Sequence, residues 1–161
     1  MAKIVTVSGK GGVGKTTTTA LLLDEMARAG YPGKLLVVDG DPAMTLYEAL
    51  GLAAPPATVA AIRDDTRLDA RTIQALPAGI SPAGYVAKRL LEAGVLNKQA
   101  LRNMPFDMLA MGWHEGSAGC FCSINNMLAL ILQQMMGRYD LVIIDNEAGL
   151  EHLSRYRVKH V

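Results

Sequence analysis

Gly9-Lys10-Gly11-Gly12-Val13-Gly14-Lys15-Thr16 directly follows the apolar run KIVTVS at 3–8 and directly precedes an alanine- and leucine-rich stretch at 16–29. The eight residues satisfy G-x-x-x-x-G-K-[ST], and their neighbours supply the strand-loop-helix context which that pattern requires. Glycines let successive backbone N–H groups turn inward around a phosphate, and the N-terminus of the following helix adds partial positive charge. Gly9, Gly11, Gly12, Val13, Gly14, Lys15, Thr16 and Thr17 are therefore the expected phosphate-binding residues. Lys15 is expected on the β and γ phosphates, and the Thr16 hydroxyl on Mg²⁺.

The spacing outward from this loop predicts a strand at 3–8, a helix at 16–29 stopped by Gly30, a strand at 34–39 (KLLVVD) and a short helix at 45–50 ending at Gly51. Further on, FDMLAMG (106–112) and YDLVIID (139–145) read as buried strands flanking an apolar helix at 124–136. Between 53 and 105, prolines at 55, 56, 77, 82 and 105 and the Arg/Asp mixture at 63–71 predict short helices and loops. Buried apolar strands alternating with helices imply an α/β fold: a doubly wound, mostly parallel sheet with helices on both faces.

Two sets of carboxylates fall at strand ends. Asp145 closes a hydrophobic strand, as expected of an aspartate that holds Mg²⁺ through water. Asp39 and Asp41 close the second strand, at the sheet edge where ligands of open α/β sheets sit. Asp41 is the expected orienter of the attacking water, and Asp39 a secondary Mg²⁺ or loop contact. Lys15 and Asp41 are the expected catalytic residues.

The chain has 161 residues, 50% hydrophobic and 19% charged, with a formal net charge of +1. That composition fits one soluble domain over 1–161. Scattered Lys and Arg give no electrostatic footprint for nucleic acid, and no apolar run reaches the roughly 20 residues of a membrane span. The two cysteines, Cys120 and Cys122, stand together in the loop WHEGSAGCFC (113–122), and with no secretion signal they suit a reducing cytoplasm. A disulfide between residues so close requires a strained ring. A metal is the better reading, yet a closed thiolate site needs about four ligands. Either the site is open or a second copy of the chain completes it. His114 is expected to be a surface histidine, Trp113 a packing residue, and Glu147 and Glu151 candidate switch residues.

The additional lysine in KGGVGKTT is the deviant Walker A signature, and the chain resembles the MinD, ParA and nitrogenase iron protein class of dimerising P-loop NTPases. In that class the first lysine reaches across a dimer interface to the partner's nucleotide, so the resemblance implies Lys10 as a third catalytic residue and a homodimer that sandwiches ATP or ADP. Within the class, GCFC together with the segment DNEAGLEHL from Asp145 resembles the CooC-type nickel-insertion ATPases. That resemblance implies a C-x-C pair from each subunit meeting on the two-fold axis, with nickel or zinc as the shared metal and carbon monoxide dehydrogenase or acetyl-CoA synthase as client. Alternatives are a ParA- or MinD-type positioning scaffold and an iron protein-like reductase. The latter's second cysteine is absent after the 139–145 strand, where His152 is the nearest substitute. Measured against the resemblance, the domain is expected to be truncated at its C-terminus.

Overall fold

The computed structural model describes residues 2–113 and 122–146. Cys120, His114, Glu147, Glu151 and His152 lie outside the described residues, and Cys122 is described through its backbone alone. The strands are β1 (Lys3–Val7), β2 (Leu35–Gly40), β3 (Asn97–Leu101), β4 (Met104–Ala110) and β5 (Leu141–Asn146). The helices are α1 (Lys15–Arg28), α2 (Thr45–Ala49), α3 (Ala70–Gln74), α4 (Pro82–Glu92) and α5 (Cys122–Met135).

The five strands form one sheet in the order β1-β5-β2-β4-β3. β1, β5, β2 and β4 are parallel neighbours, and β3 runs antiparallel to β4. The expected α/β architecture, a mostly parallel sheet covered on both faces, is the one observed. β5 enters between β1 and β2, pairing Val5 with Ile143 on one side and Val37 with Ile143 on the other. The chain thus leaves β1, skips one place to lay down β2, and fills the gap last. Such a reversal opens a crevice at the carboxyl ends of the strands.

The two faces of β2 explain its unbroken apolar run. Leu35 and Val37 pack with Leu23 of α1 and with Leu46 and Tyr47 of α2. Leu36 and Val38 face the other way, against Ile73 of α3, Val86 and Leu90 of α4, and Ile124, Leu128 and Ile131 of α5. A central parallel strand buried on both faces has no polar side to alternate with. β1 differs: among the described residues it pairs only with β5, and Ile4 and Val5 are 41% and 39% exposed.

Residues 53–105 depart most from expectation. They contain an eleven-residue helix, α4, and a hairpin strand, β3, rather than short helices and loops alone. The helix carried ordinary signals: Ser81 caps it by accepting the Gly84 N–H at 3.3 Å, Pro82 begins it, and Gly94 follows its end. Replacing Ser81 with alanine is expected to cost about 1 kcal/mol of stability, read as a lowered urea midpoint with an unchanged m-value. β3 gave less to read. NKQAL is a half-exposed edge strand, and its two-residue turn to β4 uses Arg102 and Asn103 without a glycine. Arg102 adopts φ +54°, and its guanidinium donates to Asp24 of α1 at 2.9 Å, which anchors the turn. Boundary shifts elsewhere are small: the expected strand 106–112 is Met104–Ala110, and the expected helix 124–136 is Cys122–Met135.

Candidate functional site

The loop between Val7 and Lys15 stands at the carboxyl edge of the sheet, where β1 delivers it and α1 carries the chain away. Gly14 caps α1 at φ +85°, a left-handed conformation that costs a residue with a Cβ roughly 1–2 kcal/mol. Its carbonyl accepts both the Thr18 N–H at 2.8 Å and the Thr18 hydroxyl at 2.9 Å. The Lys15 ammonium donates to the Lys10 carbonyl at 3.1 Å. A cleft of about 480 Å³ opens here, lined by Gly11, Gly12, Gly14, Lys15, Thr16, Thr17, Asp41, Thr45 and Asn146. Seven of these nine are residues that the motif and the strand-end reasoning single out. Lys10 and Gly9 are exposed but not part of the wall, and Val13 points 62% exposed to solvent.

Asp39 and Asp145 are register partners across β2 and β5, which puts two carboxylates side by side where both are buried. Asp145 accepts the Thr19 hydroxyl on Oδ1 at 3.2 Å, while its Oδ2 is buried without a hydrogen-bond partner. Burial raises its pKa; the hydroxyls of Thr16 and Thr19 and the Lys15 ammonium oppose that rise. A buried carboxylate oxygen lacking a donor, beside the Thr16 hydroxyl, is the donor set a divalent cation takes up. Mg²⁺ fits these residues.

Asp39 serves the loop instead. Oδ1 accepts the Asp41 N–H at 3.1 Å and Oδ2 the Leu46 N–H at 3.0 Å, so its carboxylate ties the end of β2 to the start of α2. Burial is the main cause lifting its pKa to about 7; the two backbone donors oppose the rise, while Asp145 and Asp41 add to it. Of the two roles expected for Asp39, the loop contact is the one its geometry serves. Asp41 accepts the Ala43 N–H at 2.9 Å and the Thr45 hydroxyl at 3.2 Å, and the Thr45 oxygen lies 3.4 Å from that of Thr16. Both Asp41 oxygens are thus engaged within the 41–45 turn.

Thr45 and Asn146 complete the cleft without having been singled out in the sequence. Neither belongs to the glycine-lysine motif, and only the register Gly40 to Asn146 brings β5 alongside the second strand end. Trp113, expected to pack, is 58% exposed. The C-x-C pair cannot be placed as a site, because Cys120 lies outside the described residues; among those residues no group of three or more His, Cys, Asp or Glu is arranged to hold a metal. The backbone does locate where that segment rejoins the fold. α5 returns the chain from the carboxyl end of β4 to the amino end of β5, so its first residue, Cys122, stands at the same sheet edge as the phosphate loop. No described helix is long and apolar enough to cross a membrane.

Comparison with known proteins agrees with this geometry. The chain is 40% identical over 158 residues to an uncharacterized ATP-binding protein of Methanocaldococcus jannaschii, covering 98% of this chain and 58% of that protein. It is 26% identical over 160 residues to the carbon monoxide dehydrogenase accessory protein CooC of Rhodospirillum rubrum, covering 98% of this chain and 59% of that one. The chain therefore spans under two thirds of the length of these relatives. Its fold is similar to that of cobyrinic acid a,c-diamide synthase from Mycobacterium smegmatis, solved with ADP and magnesium. There the TM-score is 0.56 at 23% identity, over 96% of this chain and 54% of that one. The model of the CobQ/CobB/MinD/ParA nucleotide binding domain matches residues 4–148. With its phosphate loop at a strand-order reversal and a buried aspartate facing the loop's threonine, the chain belongs to the CobQ/CobB/MinD/ParA nucleotide-binding family.

Proposed function

We propose that this chain is the nucleotide-binding unit of an ATP-hydrolysing metallochaperone, which dimerises on ATP and hands nickel to an enzyme of the carbon monoxide dehydrogenase or acetyl-CoA synthase type. The observation that carries the nucleotide half is the phosphate-loop cleft lined by Gly11, Gly12 and Gly14 to Thr17, with the buried, unpartnered Asp145 Oδ2 behind its Thr16 wall. The cargo half is supported by the similarity to CooC and by Cys122 opening α5 at that same edge.

In this reading backbone N–H groups of residues 9–17 hold the phosphates, Lys15 leaves the Lys10 carbonyl for the β and γ phosphates, and Asp145 and Thr16 hold Mg²⁺. Held by Thr16 and Asp145, the cation would offset charge that builds on the phosphate oxygens during transfer. Lys10, exposed and outside the cleft wall of its own subunit, reaches the nucleotide of the partner. Closing the dimer brings Cys120 and Cys122 of each subunit together, offering nickel four thiolates in place of two. Zinc is the competing cargo for such a soft-ligand site. A ligand shifts an equilibrium only by its differential affinity for the two states, and doubling the thiolate count supplies that difference. The protein acts in the cytoplasm, without nucleic acid or membrane as partner.

The test is metal content and oligomeric mass of the reduced protein with ADP and with ATP, for the parent chain, Cys120→Ser and Lys10→Ala. One metal per dimer, lost in Cys120→Ser, and an ATP-dependent dimer, lost in Lys10→Ala, are expected. Metal bound at one per monomer, with dimerisation indifferent to nucleotide and to both substitutions, overturns the reading. Dimerisation on ATP without metal turns it toward a positioning switch, and visible iron–sulfur absorbance toward a reductase.

A further inference from the structure

A second cleft lies at the other end of the sheet from the phosphate loop. It has a volume of about 650 Å³ and opens where β2 starts at Leu35, where β4 passes Pro105 and Phe106, and where Arg138 and Tyr139 lead into β5. That exceeds the cleft of about 480 Å³ at the phosphate loop and falls within the range of small-molecule pockets. Leu35, Phe106 and Tyr139, all buried, give it an apolar inner wall.

Charge lines the rest. Lys34 ends the loop before β2, Lys98 stands on β3 opposite Asp107 of β4, and Arg138 precedes Tyr139; against these three cations the lining has one carboxylate, Asp107. That carboxylate is already engaged, its Oδ1 accepting the Lys98 ammonium at 3.0 Å and its Oδ2 the Tyr139 hydroxyl at 2.8 Å. Asp140 lies outside the lining, and its Oδ2 accepts the Lys34 backbone N–H at 2.7 Å. Lys98 is therefore paired and held in place, while Lys34 and Arg138 take part in no ion pair among the described residues. Arg28, Arg63, Arg67, Arg89 and Arg102, by contrast, each hold a carboxylate within 3.2 Å.

Gathering like charges in a chain of net charge +1 raises the potential of this cleft, and its apolar wall focuses the field. Ammonium and guanidinium groups bind phosphate and carboxylate oxygens through charge-assisted hydrogen bonds, the guanidinium two at a time. Two uncompensated cations lining one concave site match a ligand with two such groups. A nucleic-acid strand would need a track of cations, and Lys and Arg elsewhere on the chain are scattered.

We infer that the cleft at the amino ends of β2 and β4 binds a small polyanion carrying at least two phosphate or carboxylate groups, held by Lys34 and Arg138, with Lys98 fixed beside them by Asp107. This site is separate from the nucleotide cleft, and it stands whether or not the chain hydrolyses ATP.

The test titrates inorganic pyrophosphate and citrate into the Mg²⁺-free chain, followed by calorimetry. Lys15→Ala is the background, because pyrophosphate also fits the phosphate loop. In that background at least one of the two probes is expected to bind with a Kd below about 1 mM, and the tighter of them tells a phosphate ligand from a carboxylate one. Adding Lys34→Gln or Arg138→Gln is expected to weaken binding about 10-fold each. Arg138→Lys, which keeps the charge without the planar fork, is expected to lose less than Arg138→Gln. Both side chains are exposed, so neither substitution removes a described ion pair or core contact from the fold. Failure of both probes to bind the Lys15→Ala chain below about 1 mM overturns the inference. So does either glutamine substitution that leaves affinity within threefold, because the site then lacks one of its two cations. Displacement of the probe by a single-stranded oligonucleotide at lower concentration than the probe itself would make the surface a nucleic-acid contact and overturn it as well.

Discussion

Lys15→Ala is expected to lower affinity for Mg·ADP and Mg·ATP by about 100-fold or more, with little effect on the fold. Lys15 is half-buried at the first turn of α1, yet its one described hydrogen bond goes to the Lys10 carbonyl, solvent-exposed at 3.1 Å. Removing it leaves that carbonyl to water, so the melting temperature of the free chain should move by no more than about 2 °C. On a phosphate the same ammonium makes charge-assisted bonds, worth roughly 1.5–3 kcal/mol each. Two of them, at about 1.4 kcal/mol per tenfold in affinity, account for the expected loss. Thermal melts give an independent reading. Nucleotide at 100 times its dissociation constant stabilises a protein by about 2.7 kcal/mol, and a hundredfold weaker variant at the same concentration keeps roughly 0.4. Calorimetric affinity within threefold of the parent would show that the phosphates lie elsewhere.

The second large effect is a stability that falls as pH rises. Asp39 is buried, with a pKa near 7 in the fold against 3.8 for the ordinary side chain. Between those values the folded chain keeps a proton that the unfolded chain has released. Raising the pH therefore favours unfolding throughout that interval, and the effect levels off above about pH 7. At 1.36 kcal/mol per unit, the full shift corresponds to a loss on the order of 4 kcal/mol. Asp145, raised by its own burial, contributes in the same direction. Three half-buried carboxylates act oppositely: Asp24 held low by Arg102, Asp65 by Arg67, and Asp69 by the Thr72 N–H. Their contribution is gained as pH rises and is complete near the ordinary carboxylate pKa, below the window in which Asp39 acts. Denaturant melts of the nucleotide-free chain from pH 4 to pH 7 are expected to show the decline, and Asp39→Asn to flatten most of it. A flat profile in the parent would mean that water reaches Asp39 and screens it.

The arrangement of Asp39, Asp41 and Asp145 also bears on what nucleotide binding must change. Asp41 is held by Ala43 and Thr45, and Thr45 stands next to Thr16. A cation taken up by Thr16 and Asp145 would compete for the Thr16 hydroxyl and loosen its contact with Thr45. The 41–45 turn is thereby linked to the phosphate loop through side-chain oxygens alone, with no backbone rearrangement required.

How much could be read before folding depended on whether a signal was local. GKGGVGKT carries its meaning within eight residues, because the backbone turn, the lysine and the hydroxyl all act on one phosphate group. The buried strands were equally legible: LLVV and LVII are apolar without alternation, as strands covered on both faces must be. α4 was obscured by neighbouring prolines although its cap, first proline and closing glycine were all present. β3 had no local signal, since a half-exposed edge strand of polar residues resembles a loop until β4 supplies its partner.

The sequence by itself therefore determined the α/β class, the phosphate loop and the identity of the strand-end aspartates, because each is set by residues that are adjacent or a few apart. The tertiary structure decided what those residues do to one another. Inserting β5 between β1 and β2 set Asp145 against Asp39 and Asn146 against Gly40, more than a hundred residues away. Burial then left one oxygen of Asp145 and one of Asn146 without partners, turned Asp39 into a loop tie with a raised pKa, and engaged both oxygens of Asp41. Pairing, burial and hydrogen-bond satisfaction are properties of neighbours in space, and the strand order alone makes these residues neighbours.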